Sequence, residues 1–91
     1  MIHSFADHDT AAFFAGQRVK TFEPFAAVAR RKLQQLDSAA TLDFLRSPPG
    51  NRLEALKGER KGQYSIRIND QYRLCFRWQD GAHEVEITDY H

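Results

Sequence analysis

Apolar residues recur at helical spacing along the first half of this chain and at every other position along the second, and the change falls near Arg52. Pro24 is well placed as the first residue of a helix whose Phe25, Val28, Ala29, Leu33 and Leu36 share one buried face, with Arg30, Arg31 and Gln34 outside it. Upstream, Asp9-Thr10 before Ala11-Ala12-Phe13-Phe14-Ala15 reads as the start of a short helix that Gly16 stops. Ile2-His3-Ser4-Phe5 has the length of an edge strand. Downstream, Ala39 to Leu45 is a second helical piece carrying Leu42 and Leu45. Ser47-Pro48-Pro49-Gly50-Asn51 must end it, because neither proline can continue a helix.

From Gly62 to Trp78 one parity is apolar (Tyr64, Ile66, Ile68, Tyr72, Leu74, Phe76, Trp78), while Ser65, Arg67, Asn69, Arg73, Cys75 and Arg77 occupy the other. Parity sets the pairing. If Asn69-Asp70-Gln71 is a three-residue hairpin loop, Ile68 opposes Tyr72, Ile66 opposes Leu74, and Arg67 opposes Arg73. A two-residue loop would mix the faces. Asp80-Gly81 signals a second, two-residue hairpin. It puts Trp78 opposite His83, Arg77 opposite Glu84 as a cross-strand ion pair, Cys75 opposite Glu86, Leu74 opposite Ile87 and Arg73 opposite Thr88. The expected fold is α+β: N-terminal helices packed on one face of a small, mainly antiparallel twisted sheet, with a polar face left open. Arg67, Arg73, Thr88 and Tyr90 share that open face.

At 91 residues, 42% hydrophobic and 27% charged, the chain is expected to form a single domain over residues 1–91 with one modest core. No apolar run approaches the roughly 20 residues that span a bilayer. The N-terminus lacks the pattern of a secretory signal, and Cys75 has no second cysteine to pair with, so a cytoplasmic location is expected. The net charge of +1 conceals an uneven distribution. Residues 46–77 carry eight basic side chains against three acidic ones, whereas residues 78–91 carry four acidic and no lysine or arginine. A basic central segment suits an anionic partner such as RNA.

Directly opposed arginines repel, and like-charge cross-strand pairs lower stability by up to ~1 kcal/mol unless an anion intervenes. Arg67 and Arg73 form such a pair. Nearby stand Asp89, Tyr90 and His91, a carboxylate, a phenol and an imidazole delivered by the strand-like run Val85 to Thr88. Guanidinium groups clamp phosphates, and imidazole moves protons near neutral pH, so a phosphate site is expected here. His3, His8 and His83 have no partner at metal-ligand spacing, and no metal or other cofactor is expected. Cys75 reads as a structural thiol. Gly58 to Gly62 reads as a basic loop, since the Gly-x-x-x-x-Gly-Lys pattern is absent.

Ser47 to Gly58, Gly62 to Trp78 and the closing Asp89-Tyr90-His91, together with the Ile-x-Ser-Phe start and the Ala-x-x-Lys-Leu segment at Ala29 to Leu33, resemble a HigB-type toxin of the RelE superfamily. That resemblance implies the toxin of a type II toxin–antitoxin pair, which cleaves messenger RNA in the ribosomal A site by metal-independent attack of a ribose 2′-hydroxyl on the adjacent phosphate. It implies a HigA-like helix-turn-helix antitoxin as partner, with operator DNA reached indirectly through the complex. His91 and Asp89 then take proton-transfer and orienting roles, Tyr90 stacks on or hydrogen-bonds the nucleotide, and Arg67 and Arg73 neutralise the scissile phosphate. Lys57, Arg60 and Lys61 grip the RNA backbone. Two rivals are a ParE-like gyrase inhibitor on the same fold and a non-catalytic module that binds a partner or nucleic acid.

Overall fold

The computed structural model describes residues 1–89, so Tyr90 and His91 lie outside the described residues. α1 (His8–Phe14) begins earlier than expected. Its N-cap is Asp7, whose carboxylate accepts from Thr10 N, and this leaves Thr10 buried inside the helix. The Thr10 hydroxyl accepts from Ile87 N at 3.0 Å, which ties the helix to the last strand.

Pro24 does not open the long helix. It lies in a 3-10 turn, Lys20–Phe25, and α2 (Ala26–Ser38) follows. The apolar stripe nevertheless behaves as its spacing requires: Phe25, Ala29, Leu33 and Leu36 are buried and Val28 is half-buried. Arg30 is also half-buried, its guanidinium 4.1 Å from the centre of the Phe13 ring and donating to Phe13 O. The segment expected as a helix over 39–45 is a 3-10 turn, Leu42–Arg46, with Thr41 accepting from Phe44 N as its cap. A cis Ser47–Pro48 bond and a further 3-10 turn, Pro49–Asn51, complete the crossing to the sheet.

Four antiparallel strands stand in chain order: β1 (Glu54–Ala55), β2 (Tyr64–Arg67), β3 (Arg73–Trp78) and β4 (Ala82–Thr88). The first hairpin has the expected register, with Ile66 opposite Leu74 and Arg67 opposite Arg73, and Ile68 N donates to Tyr72 O. Its loop is held by Asn69 Oδ1, which accepts from both Gln71 N and Tyr72 N.

The second hairpin corrects the expected one. Near the turn Trp78 opposes Ala82 and Arg77 opposes His83, so the loop has three residues, Gln79-Asp80-Gly81. A bulge between Cys75 and Arg77, with Glu84 at φ 52°, takes up the extra residue. Beyond it Cys75–Glu86, Leu74–Ile87 and Arg73–Thr88 pair as parity required. The Arg77–Glu84 ion pair forms across the bulge at 2.7 Å.

The N-terminal segment runs parallel to β4 along its outer edge, through bridges at Ile2–Ala82 and Phe5–Val85. One core joins Phe13, Phe22, Phe25, Ala29, Leu33, Leu36 and Leu45 to Ile66, Leu74, Phe76, Val85 and Ile87 on the helix-facing side of the sheet. The opposite face is less open than its polarity suggests, because Ser65 and Cys75 are fully buried there. No helix among the described residues is long and apolar enough to cross a membrane.

Candidate phosphate site on the open sheet face

Arg67 closes β2 and Arg73 opens β3, so the three-residue loop holds the two backbones directly across from one another, with Thr88 beside Arg73 on β4. Both side chains are half-buried. Arg67 Nη2 donates to Asp70 in the same loop, a carboxylate that is 98% exposed and therefore a weak, screened counter-charge. Arg73 is the more unusual of the two. Its Nη1 is buried and has no hydrogen-bond partner among the described residues. Leaving such a donor unsatisfied costs about 1–3 kcal/mol, more when the group is charged.

Asp89 follows β4 on the same end of the sheet, and its Oδ2 accepts from Gln71 Nε2 at 2.9 Å. That contact links the end of β4 to the β2–β3 loop, so the carboxylate and the arginine pair occupy one corner of the molecule. Tyr90 and His91, the other two members of the expected proton-transfer set, lie outside the described residues. The three cations of the loop before β2 divide. Lys57 and Lys61 flank the Gly58–Arg60 turn and are exposed. Arg60 instead turns inward, donating from Nη1 to Gln63 Oε1 at 3.1 Å and to Glu86 Oε1 at 3.3 Å. Glu86, the carboxylate one strand over from the arginine pair, is thus engaged by Arg60.

A further cation is held by the turn that packs on β2. Lys32 on α2 donates from Nζ to the Oδ1 of Asn51, a fully buried side chain whose Nδ2 donates to Gln35 Oε1, Leu45 O and Ser47 O. Burial holds the Lys32 pKa below the usual lysine range, and the positive charges of Arg31 and Arg67 lower it further. Cys75, between Arg73 and Arg77 on β3, has its thiol pushed up to about 11, chiefly by burial. Among the described residues no three histidine, cysteine, aspartate or glutamate side chains are grouped to hold a metal ion.

The family model for the RelE-like toxin HigB of type II toxin–antitoxin systems matches residues 3–91. The chain belongs to the HigB-like toxin family. Over 61 residues it is 59% identical to Toxin HigB-1 of Vibrio cholerae serotype O1, covering 67% of this chain and 64% of that protein. Over 64 residues it is 42% identical to an uncharacterized protein of Haemophilus influenzae, covering 70% and 63%. The chain therefore matches slightly less than two thirds of the length of these relatives. A solved YoeB/ParE toxin from Agrobacterium tumefaciens superposes over 99% of this chain and 98% of its own, with a TM-score of 0.56 and 18% identity, and shares the fold.

In this HigB-like toxin the sheet brings together Arg67, Arg73 and Asp89, keeps Lys57 and Lys61 on the exposed loop, and commits Arg60 to Glu86. Sequence reasoning missed Lys32. The available signal was the Ala-x-x-Lys-Leu segment: a lysine just before the buried Leu33 lies at the margin of the apolar stripe and is carried toward the core.

Proposed function

We propose that this chain is the toxin of a type II toxin–antitoxin pair, and that it cleaves messenger RNA in the ribosomal A site. Its partner in this reading is a HigA-like helix-turn-helix antitoxin, through which operator DNA is also contacted. The observation that carries the reading is the opposed Arg67–Arg73 pair with its unsatisfied Arg73 Nη1. An RNA phosphate supplies acceptor oxygens for the Arg73 Nη1, which has none among the described residues, and a charge to lie between the two guanidinium groups.

The resemblance implies the chemistry, and the arginine pair has a part in it. A ribose 2′-oxygen attacks the adjacent phosphorus as a base removes its proton, the 5′-oxygen leaves with a proton from an acid, and a 2′,3′-cyclic phosphate remains. Arg67 and Arg73 carry the extra negative charge of the phosphorane. Asp89, Tyr90 and His91 are assigned proton transfer, orientation and nucleotide contact, as the resemblance implies, and Lys57 and Lys61 hold the flanking backbone. Arg60 acts through its contact with Glu86, holding the loop that carries them.

Mapping messenger RNA 5′ ends after brief induction, and with purified ribosomes present or absent, tests the reaction class. New ends that need ribosomes are the expected result. Gyrase-linked DNA breaks without new ends would replace this reading with the ParE-like one, and neither signal would leave a non-catalytic module. His91→Ala is expected to abolish cleavage and growth inhibition while leaving antitoxin binding intact; full toxicity in that variant overturns the assignment.

A further inference from the structure

The exposed side of α2 and the Ser47–Pro48 segment enclose a groove of about 430 Å³ lined by Arg31, Lys32, Gln34, Gln35, Ser38 and Pro48. Two of the six lining residues are cationic and none is acidic. Four carboxylates are ion-paired elsewhere: Glu23 faces Arg18, Asp43 faces Arg46, Glu86 faces Arg60 and Glu84 faces Arg77, while Asp37 of α2 accepts from Ile2 N. Lys32 is held in place by the buried Asn51, and the charges that act most strongly on it, those of Arg31 and Arg67, are both positive. The Pro49–Asn51 turn that holds Lys32 also packs against β2, the strand that Arg67 closes.

We propose that this groove is a second phosphate-binding site, which holds the backbone of a single-stranded RNA beside the scissile nucleotide, with Arg31 and Lys32 as its cations. That shared turn favours RNA over an acidic peptide, because a polyanion can engage the groove and the arginine pair at once. Asn51 acts as the positioning residue, fixing Lys32 against α2 and the Ser47 carbonyl. The inference rests on the reading of Arg67 and Arg73 as the scissile-phosphate site, and adds the path of the strand leading away from it.

Fluorescence anisotropy with a labelled, 2′-O-methylated single-stranded oligoribonucleotide measures binding apart from cleavage. Arg31→Gln and Lys32→Gln are each expected to weaken binding and to reduce the slope of log affinity against log salt by ~0.7, the value for one lost contact to a single-stranded phosphate backbone. Arg18→Gln, an 82% exposed cation ion-paired to Glu23, is the control expected to change neither. Arg31 is exposed and leaves Asn51 untouched, so its variant stays informative even if Lys32→Gln lowers stability. Unchanged affinity and slope in Arg31→Gln would overturn the proposal. Wild-type RNA affinity combined with loss of binding to a poly-glutamate peptide would also overturn it, by making the groove a peptide site. Loss of RNA binding in Arg31→Gln, alongside a wild type that never cleaves, would leave the groove standing and remove the nuclease reading. Ribosome-dependent cleavage together with unaltered RNA binding in Arg31→Gln would do the reverse.

Discussion

Asn51 shows how one buried amide organises a surface. Its Nδ2 serves carbonyl groups of Gln35, Leu45 and Ser47, so the turn after the prolines, the preceding 3-10 turn and α2 meet on a single side chain, and its Oδ1 anchors Lys32. Asn51→Ala leaves buried acceptors unsatisfied and is expected to cost about 2–3 kcal/mol in urea unfolding. Cys75 gives a prediction with a definite pH window. The native thiol titrates near 11 against 9.0 for an ordinary one, so between those values the unfolded chain has lost a proton that the native chain keeps. That contribution lowers stability as pH rises through the window. Urea melts at pH 8 and pH 10 are expected to show a smaller pH-dependent loss in Cys75→Ala than in the parent chain, and equal losses would refute it.

At the level of elements, the two hairpins separate what pattern reveals from what it hides. Alternation over Tyr64 to Trp78 leaves one loop length that keeps Ile66 against Leu74, which is why the arginine pair was legible. The second hairpin was legible at its far end alone. Its bulge rests on Glu84 in a left-handed conformation, and glutamate carries no local signal for that backbone state. Lys32 was hidden for another reason: its contact with Asn51 depends on how residues 47–51 fold back on α2, and no periodicity encodes that. The Arg60–Glu86 contact was hidden in the same way, since a cross-loop ion pair is equally non-local. At the β3–β4 turn Gly81 has φ 124°, and a β-carbon there would lie 2.5 Å from His3 Nε2 and 2.7 Å from Met1 O. Gly81→Ala is expected to cost about 2 kcal/mol or more and to speed amide exchange at His3 and Ala82. Exchange unchanged from the parent would refute the close packing.

For the molecule as a whole, α2 is the keel of the core. Leu36 is fully buried at its C-terminal end, and Leu36→Ala is expected to lower stability by about 2–5 kcal/mol in a single cooperative transition. The sheet's two edges are unequal. β1 has two residues. Along β4, His3 N donates to Ala82 O, Ala6 N to Val85 O, Ala82 N to Met1 O and Val85 N to Ser4 O, while Glu84 N is satisfied by the Ser4 hydroxyl and Ile87 N by that of Thr10. Removing residues 1–6 is expected to unmask that edge and produce concentration-dependent association in light scattering.

Growth of a sheet from chain to chain needs two docking edges on every copy, one to receive a neighbour and one to pass the pairing on. This protein has one side sealed by its own N-terminal segment, so edge pairing through β1 can join two copies but cannot add a third.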